Sequence, residues 1–236
     1  MSQNIEQVLV IGGGNAPHIC TGILGSRADL RLNILTTWGD EAKRWTEAMD
    51  AAGGVTVTEQ GHDDLVGHAT VSNDPAAVVP GCQIIIFAVP ANLHEMYLGL
   101  IAPFLDPGCV VGVMPAASAF DIIARKTLPA SFFEQGGAIF GFETLPWACR
   151  LVEYGKSAEI LGTKLMMDIA ASPMAQMERC SAMFNNLFPR LELNTGCSFL
   201  GLSLMNFNGL VHPAICHSQF RDWDGQTPYP ESPLFY

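Results

Sequence analysis

Residues 8–18 read VLVIGGGNAPH, an apolar strand that runs into three glycines and then into the start of a helix. Gly12 permits a tight turn there, and Gly14 lets backbone N–H groups approach a pyrophosphate, whose charge is stabilised at a helix N-terminus. We therefore predict a dinucleotide-binding turn. The residues predicted to hold the dinucleotide at this turn are Gly12, Gly13, Gly14, Asn15 and Ala16. A purely structural glycine turn is the alternative, because Pro17 stands where the dinucleotide fingerprint has its third small residue.

Beyond this turn, strand-like and helix-like segments alternate along the chain. The predicted strands are residues 7–11, 30–36, 83–89, 109–113 and 137–142, the predicted helices are residues 15–26, 40–51, 92–100, 120–128 and 173–188, and residues 149–164 are predicted as a hairpin. Such alternation is typical of βαβ units, so the predicted fold class is α/β, a Rossmann doubly wound parallel sheet with helices on both faces. Ligands of such sheets bind beyond the carboxyl ends of the strands, where the strand order reverses.

Two of these strand ends supply further predicted cofactor contacts. Thr36 ends one strand, and Val89-Pro90 end another, where they are expected to line the nicotinamide side of the crevice. Asp40 and Glu41 follow Thr36 closely, and they either hold the ribose hydroxyls of the cofactor or are ordinary helix-start charges. Because no arginine directly follows that strand, NAD is predicted as the cofactor rather than NADP.

The charge balance and the cysteines exclude several classes of protein. The 236 residues contain 12 Lys+Arg and 23 Asp+Glu, a formal net charge of −11. Cations for phosphates or anionic headgroups are scarce, so neither a nucleic-acid nor a membrane partner is predicted. Seven cysteines without a CxxC pair predict free thiols in a reducing compartment, and with no signal-peptide pattern at the start we expect a cytoplasmic protein. The histidines have no metal-ligand spacing, so no metal is predicted.

An uncharged stretch runs over residues 193–220 and contains His212. Its asparagines and histidines favour a buried helix over a membrane span. A lone histidine in an apolar helix is by default a satisfied core residue, yet an imidazole that titrates near neutrality also suits the proton transfers that accompany hydride transfer. Asn208 lies one turn before His212 on the same face, where it either binds a substrate carboxylate or caps a buried network.

Six segments, taken together and in order, resemble the octopine/opine dehydrogenase family. They are GGGNAPH (12–18), AVPANLHE (88–95), FETLPWACR (142–150), LGTK (161–164), VHPAI (211–215) and WDGQTPYPESPLFY (223–236). FETLPWACR and the segment ending SPLFY are the specific ones, and the resemblance covers nearly the whole chain.

The resemblance implies a Rossmann domain over residues 1–192, followed by the incomplete start of an all-helical catalytic domain over residues 193–236. It implies an NAD-dependent oxidoreductase acting on CH–NH donors, which condenses pyruvate with the amino group of an amino acid and regenerates NAD. The product would be of the octopine, alanopine, strombine or tauropine type. The His212-Pro213 pair maps onto the catalytic histidine of the family.

The resemblance also implies that the family's partner aspartate and its pyruvate-binding arginine lie beyond Tyr236, so we expect a truncated chain. The full-length form would be monomeric. In this chain, an uncovered apolar face on the helix expected at residues 196–215 predicts self-association. A non-catalytic nucleotide-binding fragment, and a 2-hydroxy-acid or polyol-phosphate dehydrogenase on the same scaffold, are the alternatives.

Substrate-binding residues are predicted at 143, 144, 149 and 208. Glu143 either receives a substrate ammonium group or pairs with Arg150, beside Thr144 at the end of a strand. Cys149 is placed with them, although a packed thiol is its more usual role. Ala116-Ala117 replace a Ser-Gln pair of octopine-forming relatives, and Asn206 and Asn208 replace a Met and a Tyr. A smaller amino donor such as alanine, glycine or taurine is therefore expected.

Overall fold

The computed structural model describes residues 5–115, 119–205, 208–221 and 223. The strands are β1 (Gln7–Ile11), β2 (Arg31–Leu35), β3 (Val55–Glu59), β4 (Leu65–Gly67), β5 (Thr70–Ser72), β6 (Ile84–Phe87), β7 (Val110–Val113), β8 (Ala138–Phe142), β9 (Trp147–Glu153), β10 (Ser157–Thr163), β11 (Met166–Ser172) and β12 (Glu192–Asn194). The helices are α1 (Asn15–Gly25), α2 (Glu41–Ala52), α3 (Pro75–Val78), α4 (His94–Ile101), α5 (Phe120–Thr127), α6 (Ala130–Glu134), α7 (Met177–Leu187), α8 (Phe199–Leu204) and α9 (Asn208–Phe220).

The main sheet has eight strands in the order β12-β11-β8-β7-β6-β1-β2-β5. All neighbours from β8 to β5 are parallel, whereas β11 runs antiparallel to β8. The chain builds outward from β1 through β2 to β5, and then returns to the other side of β1 at β6. The strand order therefore reverses between β1 and β6, and the predicted doubly wound Rossmann sheet is confirmed.

Helices cover both faces of this sheet, which explains why its central strands read as continuous apolar runs. Every residue of β6, β7 and β8 is buried. Ile19 of α1 and Phe184 of α7 belong to the core on one face. Leu98 of α4 and Phe120 of α5 belong to the core on the other face. Two hydrophobic layers therefore hold the sheet.

A second sheet, with the order β4-β3-β10-β9, was not predicted as such. Its β9–β10 hairpin was predicted, but β3 and β4 fall in residues 53–81, where the alternation is too irregular to assign strands. Helix α1 contacts all four of these strands as well as β1 and β2 of the main sheet. Most of α1 is buried as a result, including Pro17, which lies in its first turn. The helix behind the glycine turn is therefore held from two sides.

The prediction of a single buried helix over residues 193–220 is wrong. Residues 192–194 form β12, and the hydroxyl of Ser198 accepts a hydrogen bond from the Gly201 N–H at 3.1 Å, so that α8 begins anew at residue 199. Most described side chains of α9 are exposed, and Leu210 is 71% exposed. Among the described helices, none is long and apolar enough to cross a membrane.

The predicted domain boundary at residue 192 stays a prediction, as does self-association. Strand β12 pairs with β11 across that position, and Phe199 and Leu202 of α8 pack in the core of the main sheet. The sheet and its hydrophobic layer thus extend to α8.

The close packing of α1 on the second sheet yields a stability prediction. A Cβ on Gly22 would lie 2.6 Å from the Cβ of Val57. Because both groups are buried, Gly22→Ala should lower the free energy of unfolding by about 1–3 kcal/mol. Urea unfolding followed by circular dichroism measures the change.

Gly99→Ala in the exposed face of α4 is the matched control, because the nearest described atom outside its own stretch of helix, on Thr127, lies 4.0 Å from its added Cβ. Alanine is the better helix former, so the control should be neutral or stabilised. Equal effects of the two substitutions would contradict the packing described for α1.

Candidate functional site

The glycine turn between β1 and α1 contains one glycine with no room for a side chain and one with free space in front of it. Gly12 has a φ of +129°, and a Cβ there would lie 2.6 Å from the carbonyl oxygen of Ala88, so only glycine fits. Gly14 has an ordinary φ of −91°, and a Cβ there would meet no described atom within 4 Å. Gly12 is thus needed by the fold, whereas Gly14 leaves space in front of the helix.

The N-terminus of α1 offers backbone N–H groups to that space. Gly14 is the N-cap, and no side chain among the described residues caps this end of the helix. The side-chain oxygen of Asn15 is directed elsewhere, because it accepts a hydrogen bond from the Leu151 N–H of β9 at 2.8 Å. An anion at this end would therefore meet the backbone and the positive end of the helix dipole.

A cleft of about 470 Å³ lies beside the turn. It is lined by Asn15, Ala16, Ala88, Val89, Pro90, Ala91, Met114, Pro115 and Leu145. These residues follow β1, β6, β7 and β8, so the cleft lies at the carboxyl ends of the parallel strands, at the switch point. The structure thus brings together the predicted Asn15, Ala16, Val89 and Pro90. Leu145 was not singled out, since it lies three residues beyond the end of β8.

Of the two acids after β2, Glu41 faces the glycine turn. Its carboxylate accepts a hydrogen bond from the hydroxyl of Thr36 and packs against Gly13. Asp40 instead forms an exposed ion pair with Arg44, with 2.7 Å between Nε and Oδ1. Thr36 itself is buried and does not line the cleft; its hydroxyl contacts Glu41, and its backbone N–H donates to the carbonyl oxygen of Ser72 at 3.0 Å.

Glu143 directly follows β8 and is half-buried. Among the described residues its Oε2 atom has no hydrogen-bond partner, and no ion pair joins it to Arg150. Burial raises the pKa of this carboxyl above its ordinary value. A partly desolvated carboxylate with an unused oxygen can accept a cation such as an ammonium group.

The other predicted substrate residues differ in how much the structure describes. Thr144 is half-buried beside Glu143. Cys149 is half-buried on β9, and burial raises the pKa of its thiol, so it is no activated thiolate. His212 and Asn208 belong to α9, but their side chains lie outside the described part of the chain. Residues 116, 117 and 206 also lie outside the described residues.

A second cleft, of about 540 Å³, was not predicted. It lies between α1, the second sheet and the chain after α7, and Val57, Trp147 and Phe188 are among its walls. An ion pair between Arg190 and Glu59, with 3.0 Å between Nη2 and Oε1, stands at its edge. No local sequence motif predicts this cleft, because the residues of its walls come from segments far apart in the sequence. Within the described residues, no cluster of three or more potential metal ligands occurs in either cleft.

Comparison with known proteins gives consistent results. No protein-family profile matches the chain. Tauropine dehydrogenase of Arabella iricolor is 35% identical over 238 residues, which cover 96% of this chain and 58% of that enzyme. A structure of octopine dehydrogenase with NADH and L-arginine superposes with a TM-score of 0.78 at 30% identity, covering 94% of this chain and 56% of the other. A further structure of octopine dehydrogenase, with NADH and pyruvate, superposes with a TM-score of 0.77 at 30% identity and covers 94% of this chain and 57% of the other. The chain therefore spans little more than half the length of the relatives it matches.

The open space at Gly14 yields a direct binding prediction. Gly14→Val should abolish NADH binding without unfolding the sheet, because the new side chain would occupy the space of the pyrophosphate rather than the core. Isothermal titration measures the affinity, and we expect a loss of at least about 100-fold.

Gly162→Val is the control, because a Cβ there also meets no described atom within 4 Å and lies away from the cleft lining. The control should bind NADH as the wild type does. Unchanged affinity in a folded Gly14→Val variant would mean that the glycine turn is structural only.

The buried carboxyl of Glu143 yields a pH prediction. Its pKa is raised in the folded state, so the folded state holds this proton more tightly than the unfolded state, and ionisation at higher pH weakens the fold. Glu143→Gln should therefore raise the melting temperature near pH ~7.5, and the gain should disappear below about pH 4.

Glu153→Gln serves as the comparison, because Glu153 is exposed and paired with Lys156 on the surface. It should give no gain at either pH. A gain for Glu143→Gln that is independent of pH would contradict the assigned cause.

Proposed function

Because the chain belongs to the family of opine dehydrogenases over the part of their length that it spans, we propose that it carries the cofactor-binding unit of an NADH-dependent opine dehydrogenase. In the proposed reaction the keto group of pyruvate and the amino group of an amino acid would condense to a C=N bond with loss of water. NADH would supply the hydride to the carbon of this bond, and a proton would go to its nitrogen. The observation that carries the proposal is the cleft at the strand switch point, with open space in front of Gly14.

The residues of the turn fit the cofactor. Gly14, Asn15 and Ala16 would hold the pyrophosphate through backbone N–H groups and the positive end of the α1 dipole. Gly12 would serve the cofactor indirectly, by allowing the tight turn that places this helix end, and Gly13 by leaving room for the Glu41 carboxylate beside the turn. Val89 and Pro90 line the cleft with apolar groups, which suits contact with the nicotinamide ring and excludes water from it.

Glu41 is the proposed partner of the adenosine ribose. Its carboxylate lies beside Gly13 and Thr36, where the end of β2 meets the glycine turn. Ribose hydroxyls can donate to a carboxylate in that place, whereas the 2′-phosphate of NADPH would be repelled. Thr36 would hold the carboxylate in position by its hydrogen bond.

Glu143 is proposed to receive the ammonium group of the amino donor. Its Oε2 atom has no hydrogen-bond partner among the described residues, and burial raises the pKa of its carboxyl, so a cationic group placed beside Oε2 would stabilise the ionised form. Thr144 and Cys149 are proposed to line the same subsite, and Asn208 to bind a substrate carboxylate. The support for these three is their place in sequence and the family resemblance.

His212 is proposed as the catalytic residue, on the strength of the His-Pro pair that it forms with Pro213 in α9. A neutral imidazole can take the proton that the substrate amine releases, and an imidazolium can return one to the product nitrogen. The partners, pyruvate and an amino acid, are small molecules, and a small amino donor is proposed.

The test of this function uses the complete gene product. Oxidation of NADH, followed by its absorbance, should require both pyruvate and an amino acid, with alanine, glycine or taurine turned over faster than arginine. His212→Ala should lower kcat by ~10²–10⁴-fold, whereas His217→Ala, one exposed turn further along α9, should not.

Two outcomes would contradict the proposal. Oxidation of NADH with pyruvate alone would indicate a 2-hydroxy-acid dehydrogenase, and no oxidation with any amino donor would exclude the proposed reaction.

The position of Glu41 predicts the cofactor preference. The wild type should bind NADH more tightly than NADPH, and Glu41→Ser should reduce that ratio about tenfold or more, because it removes a negative charge next to the 2′-phosphate. Asp40→Ser, which removes the neighbouring charge that pairs with Arg44, should change the ratio little. Equal changes in both variants would mean that Glu41 has no special place in the site.

A further inference from the structure

His18 is a buried imidazole that the proposed reaction does not use. It lies one turn into α1 with no exposed surface, and its ring stacks on the indole of Trp45 with 3.8 Å between centroids and 5° between planes. Its Nδ1 atom lies 2.8 Å from the carbonyl oxygen of Gly14, and its Nε2 atom lies 3.0 Å from the backbone nitrogen of Gly155. Both ring nitrogens are therefore occupied.

These two contacts assign the tautomer. A backbone N–H can only donate, so Nε2 accepts from Gly155, and Nδ1 carries the proton that is donated to the Gly14 carbonyl. Burial lowers the pKa of His18 to about 4, only partly offset by the bond to Gly14, so the ring is neutral near neutral pH. The two hydrogen bonds and the lowered pKa therefore both indicate a neutral His18 ring that is protonated on Nδ1.

The carbonyl that His18 holds belongs to the peptide between Gly14 and Asn15. A trans peptide is planar, with its C=O and its N–H pointing in opposite directions. The Gly14 oxygen points toward the body of α1, where it accepts a long bond from the backbone N–H of His18 at 3.5 Å and a shorter one from Nδ1 at 2.8 Å, so the N–H of Asn15 points away from the helix. That N–H is one of the groups at the exposed N-terminus beside the cleft.

The second hydrogen-bond partner of His18, the Gly155 N–H, belongs to the β9–β10 hairpin. Gly155 and Tyr154 form its tip, and the Tyr154 ring packs edge-on against His18 with 5.1 Å between centroids. The same hairpin holds Asn15 through the bond from the Leu151 N–H to its side chain. The glycine turn is thus fixed from behind by a hairpin that does not line the cleft.

We propose that His18 is a positioning residue for the cofactor: its Nδ1–H holds the Gly14 carbonyl and so aims the Asn15 N–H at the pyrophosphate of NADH, while the Gly155 N–H at Nε2 fixes the tautomer that allows this donation. The inference rests on the proposed function, since it assumes that a dinucleotide binds at the glycine turn. His18 itself does not touch the cofactor, and it is not a catalytic residue.

Three substitutions separate the parts of this role. His18→Phe keeps a ring to stack on Trp45 but loses both hydrogen bonds. His18→Asn places an amide where Nδ1 lies and can still donate to Gly14, whereas His18→Gln reaches the position of Nε2 and keeps only an acceptor for Gly155. Leu24→Ala is the control, because Leu24 is buried in the same helix two turns further on.

NADH affinity of the 236-residue chain, measured by titration beside its melting temperature, tests the role. We expect His18→Phe and His18→Gln to weaken NADH binding about tenfold, and His18→Asn to stay close to the wild type. Leu24→Ala should lower the melting temperature while leaving the affinity unchanged. In the complete gene product, His18→Phe should raise KM for NADH with little change in kcat.

Each contrary result has a distinct meaning. Wild-type affinity in a folded His18→Phe variant, or equal losses in all three His18 variants and in Leu24→Ala, would overturn the positioning role and leave the proposed function intact. A wild-type chain that does not bind NADH would contradict the proposed function itself, and the role of His18 with it.

Discussion

The contact between Gly12 and the carbonyl of Ala88 is the constraint on which the rest of the site depends. Strands β1 and β6 are parallel neighbours, and their carboxyl ends approach so closely that a Cβ on Gly12 would lie 2.6 Å from that oxygen. Gly12 also has a positive φ, and the chain turns there back over the sheet into α1. The N-terminus of α1 is thereby placed at the point where the strand order reverses, which is also where the cleft opens.

The second sheet holds the N-terminus of α1 in this position, because it packs against the side of the helix that faces away from the main sheet. A helix that covers one sheet is ordinarily exposed on its outer side, whereas α1 is enclosed by the four strands of the second sheet and is buried along most of its length. His18 and Asn15 connect the first turn of the helix to the β9–β10 hairpin. The backbone groups that would receive a pyrophosphate are therefore oriented before any ligand arrives, which reduces the entropy lost on binding.

The sequence predicts those parts of the molecule whose signals are local. Continuous apolar runs mark β6, β7 and β8, and the glycine turn marks the start of α1, so the sheet is predicted correctly. Val89 lines the cleft at the edge of this sheet, and its contact with a cofactor stays a prediction. The second sheet is missed because β3 and β4 lie in residues 53–81, where the alternation is too irregular to assign strands, and the break at Ser198 is missed because apolar residues continue on both sides of it. The choice between Asp40 and Glu41, and the role of His18, depend on contacts between distant segments. Periodicity carries no information about such contacts.

Amide hydrogen exchange of the chain, with and without NADH, tests the central claim most directly. The account predicts that NADH slows exchange in peptides covering residues 12–18 and 88–94, which lie around the glycine turn and the end of β6. Peptides covering residues 186–191, at the second and larger cleft, should exchange at the same rate in both states. Protection at residues 186–191 instead, or no protection at residues 12–18, would contradict the claim that the switch-point cleft is the cofactor site.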